Sequence, residues 1–374
     1  MAGIYIHIHF CKQACHYCDF HFSTSLKNKE ELLAAIRKEI VLQKNYLGAK
    51  NINTIYFGGG TPSVLKVDEI IKFLEIINKY FTVSKDAEVS FEANPEDLRK
   101  EYLIELKKTA INRLSIGIQS FNNSDLTFMH RIHSAEQSFQ AIKDAQCVGF
   151  GNISIDLIYG IPMQENNIWE NNLECALNLG IQHFSAYHLT YETGTIFDHW
   201  RKKGRINPIP EEESLKQFKK LIKSAVDKGF EHYEISNFAL PGYRSRHNSG
   251  YWQQKKYLGI GPSAHSYDGK SRSWNFSNNR KYIDNIISGN ICYDSEILTS
   301  EDLYNEFIMT NLRTKEGINT LHLQKEFGND RVEYFLKKIK KYIISGHIKS
   351  EDVYYSLTDE GVFIADYLIS DIFI

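Results

Sequence analysis

Short apolar segments alternate with longer amphipathic segments through the first 240 residues of the chain. The short segments are rich in β-branched and aromatic residues, which is typical of buried strands. They lie at residues 4–8, 52–59, 87–94, 113–120, 152–160 and 183–190. Between them, segments such as 29–47 and 67–81 carry apolar residues at helical spacing. Strands that alternate with helices favour a parallel sheet, so the pattern predicts an α/β fold, a partial or full (β/α) barrel.

The alternation ends near residue 240. Residues 241–299 are rich in Gly, Ser, Asn and aromatic side chains and show no sustained period, which predicts a long loop region. Helical spacing returns at residue 300, and residues 347–359 are typical of a β-hairpin. We therefore expect a barrel core over 1–240, an aromatic and Gly-rich loop region over 241–299, and a small, mostly helical, winged-helix-like C-terminal domain over 300–374.

Composition narrows the class of protein. The chain has 374 residues and a formal net charge of -2, so it lacks the basic surplus of a nucleic-acid-binding protein. No apolar run approaches the roughly 20 residues of a membrane-spanning helix. The first ten residues also lack the charged start and cleavage site of a signal peptide. We expect a cytoplasmic protein with no integral membrane segment and no nucleic-acid partner.

Three of the six cysteines lie close together near the start of the chain, as Cys11, Cys15 and Cys18 in a C-x3-C-x2-C spacing. In a cytoplasmic chain such a cluster indicates a metal site and not a disulfide framework. Three thiolates could each hold one iron of a [4Fe–4S] cluster and leave the fourth iron open for a ligand. A zinc ion with His16 or His21 as fourth ligand is the alternative.

The other cysteines are far apart in the sequence, and small buried cysteines are common. We therefore expect Cys147, Cys175 and Cys292 to be buried.

Polar and glycine residues follow several of the predicted strands, where a (β/α) barrel places its site. The run Gly58-Gly59-Gly60-Thr61-Pro62 follows the second strand and would let a ligand approach the backbone closely. Charged and amide side chains follow at or beyond later strands as Glu92, Gln119, Arg131 and Asp156. Taken singly, each such residue is more often structural; together they offer partners for an ammonium group, a carboxylate and hydroxyl groups.

These features together resemble the radical S-adenosylmethionine (SAM) family. The resemblance implies that the amino and carboxylate groups of SAM chelate the open iron, and that an electron from the cluster cleaves SAM to a 5′-deoxyadenosyl radical. Nearly the whole chain is similar to the oxygen-independent coproporphyrinogen III oxidase-like subgroup. The resemblance implies that cofactor contacts are made by Tyr5, Tyr17, Gly59, Gly60, Thr61, Glu92, Gln119, Arg131 and Asp156. The resemblance also implies that Arg131 pairs with the carboxylate of SAM.

Two branches of this subgroup differ beside the third cysteine. The oxidase branch carries a further cysteine two residues later and an N-terminal extension, whereas this chain has Phe20 and only ten residues before Cys11. The heme-chaperone branch carries an H-N-x-x-Y motif, matched here by His247, Asn248 and Tyr251. The resemblance therefore implies heme binding at His247 and Tyr251, delivery of heme to apo-hemoproteins, and a heme-linked homodimer, with peripheral membrane contact left open.

Alternatives remain at this point. A radical-SAM enzyme that decarboxylates coproporphyrinogen III or alters another tetrapyrrole is one, and a zinc-stabilised scaffold is another. His265 is a second candidate for heme contact. His9 stands where the family commonly has proline; we expect a silent surface change there, the alternative being an extra ligand for the cysteine segment.

Overall fold

The computed structural model describes residues 2–48, 51–162, 167–291 and 293–374. The strands are β1 Ala2–Ile8, β2 Asn51–Gly59, β3 Thr82–Ala93, β4 Arg113–Gln119, β5 Ile153–Tyr159, β6 His183–His188, β7 Glu231–Glu234, β8 Asn237–Ala239, β9 Tyr257–Ile260, β10 His265–Tyr267, β11 Ser271–Asn275, β12 Tyr293–Ile297, β13 Ile318–Asn319, β14 Ile348–Glu351 and β15 Tyr354–Leu357. The helices are α1 Lys29–Leu42, α2 Val67–Tyr80, α3 Lys100–Lys107, α4 Asn123–Phe128, α5 Ala135–Cys147, α6 Ile168–Asn178, α7 Ile196–Lys202, α8 Glu211–Asp227, α9 Arg246–Trp252, α10 Asn279–Ile287, α11 Ser300–Leu312, α12 Thr320–Phe327, α13 Asn329–Ile344, α14 Asp359–Phe363 and α15 Ala365–Ile372. No helix of the described ranges is long and apolar enough to cross a membrane.

Strands β1 to β6 pair side by side and parallel, in chain order. All six predicted strands are confirmed, and helices connect them as the alternation predicted. Four strands extend the sheet beyond β1 in the order β9, β10, β11, β12, and β8 and β7 extend it beyond β6. Within the described residues the outermost strands β12 and β7 do not pair with each other, so the barrel is partial and open.

The strands have near-continuous apolar sequences because both faces of the sheet are covered. Ile4, Ile6 and Ile8 of β1 are fully buried and belong to the main core. The central parts of the strands are packed in this core without water. The polar side chains lie instead at the carboxyl ends of the strands. That distribution places the functional groups along one rim of the sheet.

The expectation of an irregular loop region over 241–299 is wrong. The described part of this segment forms two helices, α9 and α10, and four strands, of which β9 pairs parallel to β1. Leu258 and Ile260 of β9, and Tyr282, Ile283 and Ile286 of α10, are buried in the main core. The sequence did not reveal these strands because each is only three to five residues long. Alternation of apolar and polar residues cannot be recognised over so short a segment.

The last part of the chain has its own apolar core, which includes Tyr304, Phe307, Phe335 and Leu368. Its sheet has the strand order β13-β15-β14, and the β14–β15 hairpin confirms the hairpin predicted at 347–359. Helix, strand, two helices and hairpin follow one another, which is the winged-helix-like arrangement that we expected.

Candidate cofactor and ligand site

A closed loop holds the three clustered cysteines. Residues 9–23, which we call the cysteine loop, follow β1 and return to it. The Cys11 amide donates to the Ser23 carbonyl at 3.0 Å, and the Ser23 amide donates to the His9 carbonyl at 2.8 Å. These bonds join the two ends of the loop and hold it next to the end of β1. Its three cysteines, Cys11, Cys15 and Cys18, line one cavity of about 640 Å³, which we call the cysteine cavity.

This cysteine cavity lies at the carboxyl rim of the parallel strands. Of the residues predicted from the sequence it is lined by Cys11, Cys15, Tyr17, Cys18, Gly59, Gly60, Thr61, Glu92, Gln119, Arg131 and Asp156. The predicted set therefore comes together in space, with one exception. Tyr5 points elsewhere, packing against Tyr56 at 5.9 Å between ring centroids and lining a second cavity.

The glycines after β2 allow the cysteine loop to approach the sheet. A Cβ added to Gly60 would lie 2.9 Å from the Cys11 sulfur and 2.8 Å from the Phe10 carbonyl oxygen. Gly59 has a φ of 111°, in the region that L-residues with side chains avoid. The run predicted to contact a cofactor thus also makes room for the loop that carries the first cysteine.

Two donors point at the cysteine sulfurs. Arg131 Nη1 donates to Cys15 Sγ at 3.3 Å, and the Thr61 hydroxyl donates to Cys11 Sγ at 3.4 Å. Arg131 Nη2 also donates to Asn94 Oδ1 at 2.7 Å, while its buried Nε has no hydrogen-bond partner among the described residues. Burial raises the pKa of the Cys18 thiol to about 11, a cost that a bound metal ion removes by stabilising the thiolate.

Two buried carboxyl groups face the cavity. Burial raises the pKa of Glu92 to about 7 and that of Asp156 to about 6. Hydrogen bonds from the Tyr56 hydroxyl at 2.7 Å and the Gly59 amide at 3.2 Å act in the opposite direction on Glu92, while its proximity to Asp156 raises its pKa further. A positively charged ligand would stabilise the ionised carboxylates and so offset the cost of burying them. SAM carries a positive charge on its sulfonium group.

The described residues contain no preformed mononuclear metal site. Across 2–48, 51–162, 167–291 and 293–374, no three His, Cys, Asp or Glu side chains converge on one metal-ion position, as tetrahedral zinc would require. His16 Nδ1 bonds to the Phe128 carbonyl at 3.0 Å and His21 Nε2 to Asn279 Oδ1 at 3.0 Å, so both candidate fourth ligands have other partners. Separate thiolates around one cavity fit a cluster in which each binds a different iron.

His247 lies behind this region and is only 3% exposed. Its Nδ1 bonds to the Thr54 hydroxyl and its Nε2 to the Tyr251 hydroxyl, both at 2.8 Å. Burial lowers the pKa of His247 to about 3, so its ring is neutral. The H-N-x-x-Y motif thus forms a hydrogen-bonded chain. Tyr251 lines the second cavity, whereas His247 lines only a smaller cavity of about 160 Å³.

That second cavity, the aromatic cavity, has a volume of about 440 Å³. Its lining includes Tyr5, His7, Phe20, His21, Tyr251, Trp252, Tyr257, His265, Tyr267, Arg272 and Met309. Phe20 lines both this cavity and the cysteine cavity. The residue that separates the two branches of the subgroup therefore lies at the boundary between two cavities.

His9 is not the surface residue that we expected, since it is 1% exposed. The Asn279 amide donates to His9 Nε2 at 2.8 Å and accepts from His21 Nε2, and the two rings stack at 5.5 Å between centroids. Asn279 thus bridges the two ends of the cysteine loop.

The expectation for the scattered cysteines is wrong where the structure describes them. Cys147 is exposed and Cys175 is partly exposed, because both lie on outward-facing turns of helices α5 and α6. Cys292 lies outside the described residues.

Sequence reasoning missed some cavity residues. Asn94 lines the cavity and bonds to Arg131, and its position directly after β3 could have identified it. Tyr56, inside β2, bonds to Glu92 without lining the cavity itself. Arg313 and Asp366 pair with each other and line the cavity from the C-terminal domain. No local sequence signal marks these two, because they depend on how that domain docks.

Comparisons with known proteins agree with this geometry. Residues 5–176 match the Radical SAM superfamily, and residues 298–364 match the HemN C-terminal domain. The heme chaperone HemW of Bacillus subtilis is 34% identical over 364 residues, covering 96% of each chain. The heme chaperone HemW of Lactococcus lactis is 30% identical over 357 residues, covering 96% of this chain and 93% of its own.

A solved structure shows the same fold. Coproporphyrinogen III oxidase (HemN) from Escherichia coli superimposes with a TM-score of 0.86 over 99% of this chain and 89% of its own, at 22% identity. Radical SAM proteins use a [4Fe–4S] cluster and SAM, the two groups that the residues of the cysteine cavity fit. The chain belongs to the HemW family within the radical SAM superfamily.

Proposed function

We propose that this protein is a heme chaperone that holds a [4Fe–4S] cluster and SAM in the cysteine cavity, binds heme, and delivers it to apo-hemoproteins. The observation that carries the proposal is the near full-length similarity to proteins named heme chaperone HemW. The cluster is held by Cys11, Cys15 and Cys18, and SAM by the polar rim of the same cavity. When bound, the reduced cluster supplies an electron to SAM.

Phe20 supports this function over oxidase chemistry. Its side chain is 67% exposed and reaches both cavities, and it stands where the oxidase branch carries a fourth cysteine. A phenyl ring offers neither a ligand nor a proton, but it provides a flat apolar surface for a macrocycle. The likeness to coproporphyrinogen III oxidase concerns the fold and leaves this local difference in place.

A paired assay on anaerobically reconstituted protein tests the proposal. Hemin should bind stoichiometrically, and transfer from the loaded protein to an apo-cytochrome b should accelerate with the acceptor concentration. Acceptor-independent transfer would indicate passive release and contradict the chaperone function. Coproporphyrinogen III, supplied with SAM and a strong reductant, should not be converted; turnover above the cluster-free control would establish the oxidase alternative.

The proposal includes a cytoplasmic location and heme-linked dimerisation. Light scattering after size exclusion, before and after one equivalent of hemin, should show the mass double only with hemin. Flotation with liposomes of anionic and neutral lipid tests peripheral membrane contact in the same preparation.

A further inference from the structure

We propose that heme binds in the aromatic cavity and that the His265 imidazole is its axial iron ligand, with His247 acting only as a support for Tyr251. This inference rests on the proposed function, since it assigns the site at which the cargo is held. Three features of the cavity carry it: its aromatic side chains, an imidazole with no hydrogen bond to another described residue, and buried donors with no acceptor among the described residues.

The cavity has the walls that a flat macrocycle needs. Strands β1, β9 and β10 contribute Tyr5, Tyr257 and Tyr267, helix α9 contributes Tyr251 and Trp252, and Met309 lies on α11 of the C-terminal domain. Aromatic faces and a thioether stabilise a large π-system by dispersion and apolar burial. The cavity volume of about 440 Å³ lies within the usual range for small-molecule sites.

His247 cannot ligate iron from its present position. It is buried, and both of its ring nitrogens are already bonded to hydroxyl groups at 2.8 Å. Iron binding at Nε2 would break the bond to Tyr251 and leave that hydroxyl without its partner. A buried hydroxyl group that loses its hydrogen-bond partner destabilises the protein, so this exchange is unfavourable.

His265 has none of these constraints. It lies on β10 with Tyr267, two residues away and therefore on the same face of the strand. Its ring stacks on Trp274 at 5.9 Å and 26°, which fixes the ring plane. Burial and the nearby Arg272 lower the pKa of His265, which keeps the ring neutral, and neutral imidazole is the form that binds iron.

Polar groups in the cavity match the carboxylates of heme. Trp252 Nε1 and Gln254 Nε2 are buried donors with no hydrogen-bond partner in the described part of the chain, and both residues line the cavity. Lys255 and Arg272 add positive charge, although Arg272 also pairs with Glu306 at 2.7 Å. Unsatisfied buried donors are costly, so an acidic ligand that accepts from them would be stabilised.

The backbone of the cavity is also strained in two places. Gln254 has a φ of 50° and Ser263 a φ of 63°, and both residues line the cavity. Non-glycine residues with left-handed backbone conformations concentrate at ligand sites. Phe20 then places the bound macrocycle beside the cysteine cavity, so cargo and cluster would be neighbours across one side chain.

The decisive experiment titrates cluster-loaded protein with two probes, hemin and metal-free protoporphyrin IX. His265→Ala should weaken hemin binding about ten-fold or more and shift the Soret band, while leaving the affinity for metal-free protoporphyrin IX unchanged. Added free imidazole should restore the wild-type spectrum. His322→Ala, an exposed histidine on α12, is the matched control and should change neither titration.

Phe20→Ala and Trp252→Phe separate the remaining contacts. Phe20→Ala should weaken the binding of both hemin and metal-free protoporphyrin IX, because it removes apolar surface that contacts the macrocycle. Trp252→Phe keeps a ring but removes the N–H donor, so it should weaken hemin binding and leave hemin dimethyl ester unaffected. Equal effects of Trp252→Phe on the acid and the ester would exclude the assigned carboxylate contact.

The outcomes distinguish this inference from the proposed function. If wild-type protein binds no hemin, the proposed function fails. If wild-type protein binds hemin and His265→Ala leaves affinity and spectrum unchanged, the function stands and the site assignment is overturned. If His247→Ala alone shifts the Soret band and free imidazole reverses the shift, His247 is the ligand and the assignment is again overturned.

Discussion

The cysteine cavity takes its lining from the cysteine loop, the rim of strands β2 to β6 and two residues of the C-terminal domain. The aromatic cavity takes its lining from the cysteine loop, β1, α9, β9, β10, β11 and α11. Phe20 lies between the two. The cysteine cavity contains buried carboxyl groups and a buried guanidinium group, which a charged cofactor would stabilise. The aromatic cavity contains aromatic faces and unpartnered N–H donors. Among the described residues both cavities contain a buried N–H donor without an acceptor, but only the cysteine cavity combines it with buried carboxyl groups.

This difference predicts that a substitution in one cavity removes the ligand of that cavity and leaves the other ligand bound. The largest effect is expected from substitution of a clustered cysteine. Cys15→Ser should abolish the [4Fe–4S] cluster, because a hydroxyl is a poor ligand for iron and the two remaining thiolates cannot retain it. Iron and sulfide analysis with the visible spectrum measures the loss. Cys175→Ser, away from the cavity, is the control and should keep a full cluster.

The same Cys15→Ser protein should still bind metal-free protoporphyrin IX with wild-type affinity. The cysteine loop is closed by its own backbone bonds, so Phe20 and His21 should keep their positions without the cluster. Loss of porphyrin binding together with the cluster would show that the two cavities form one folding unit, which would remove the contrast between them.

Arg131→Ala should have the next largest effect, on SAM binding. Removal of a charge-assisted partner costs about 1.5–3 kcal/mol, which is roughly a 10- to 150-fold loss of affinity. Calorimetric titration of SAM into cluster-loaded protein measures it, and Arg205→Ala, an exposed arginine, is the control. Because Arg131 also donates to Cys15, cluster content must be measured in parallel. An unchanged SAM affinity with a full cluster would exclude Arg131 as a SAM ligand.

The cysteine cavity could be predicted from the sequence because a parallel (β/α) sheet converts order along the chain into position along one rim. Gly59, Glu92 and Gln119 each stand at or near a strand end, so alternation alone brought them together. Tyr5 remains a prediction as a cofactor contact, and it differs from the others in lining the aromatic cavity. It lies in the middle of β1, where the side chain is turned away from the cysteine cavity and toward the extension formed by β9 and β10.

The aromatic cavity could not be predicted, because its walls meet only through long-range packing. Of the seven Phe, Trp and Tyr residues in 241–279, four line the cavity, namely Tyr251, Trp252, Tyr257 and Tyr267, while Trp274 stacks against His265. Met309 enters from a different domain. His247 illustrates the limit of a motif: the sequence identifies the H-N-x-x-Y pattern, but not that both nitrogens of its imidazole are already bonded.

A third prediction uses the charge of the cysteine cavity, and its expected effect is smaller. Glu92 has a pKa of about 7 in the protein without cofactor, so it is ionised above pH 7 and protonated below. Only the ionised form attracts the sulfonium of SAM. Affinity for SAM should therefore fall as pH decreases, by about ten-fold from pH 8 to pH 6, as linkage requires.

The control ligand for this pH series is S-adenosylhomocysteine, which lacks the sulfonium charge and should show a flatter profile. Glu92→Gln should lower SAM affinity at pH 8 and flatten its profile to that of the neutral ligand. A SAM profile that keeps its slope in Glu92→Gln would assign the titration to another group, with Asp156 the next to test.

The smallest predicted effect concerns Asn279, which joins the ends of the cysteine loop and so supports a wall of each cavity. Asn279→Ala removes the bonds to His9 and His21, each contributing about 0.5–1.5 kcal/mol. We expect cluster loss to a chelator to accelerate about two- to ten-fold, because the loop opens more often. Asn285→Ala on the same helix is the matched control, because among the described residues its side-chain amide bonds to the Lys281 carbonyl of its own helix and not to the cysteine loop. His9→Ala should reproduce the faster loss, since it removes the other half of the same bond. If Asn279→Ala and Asn285→Ala behave alike, the bridge does not hold the loop, and the backbone bonds between His9, Cys11 and Ser23 are sufficient to close it.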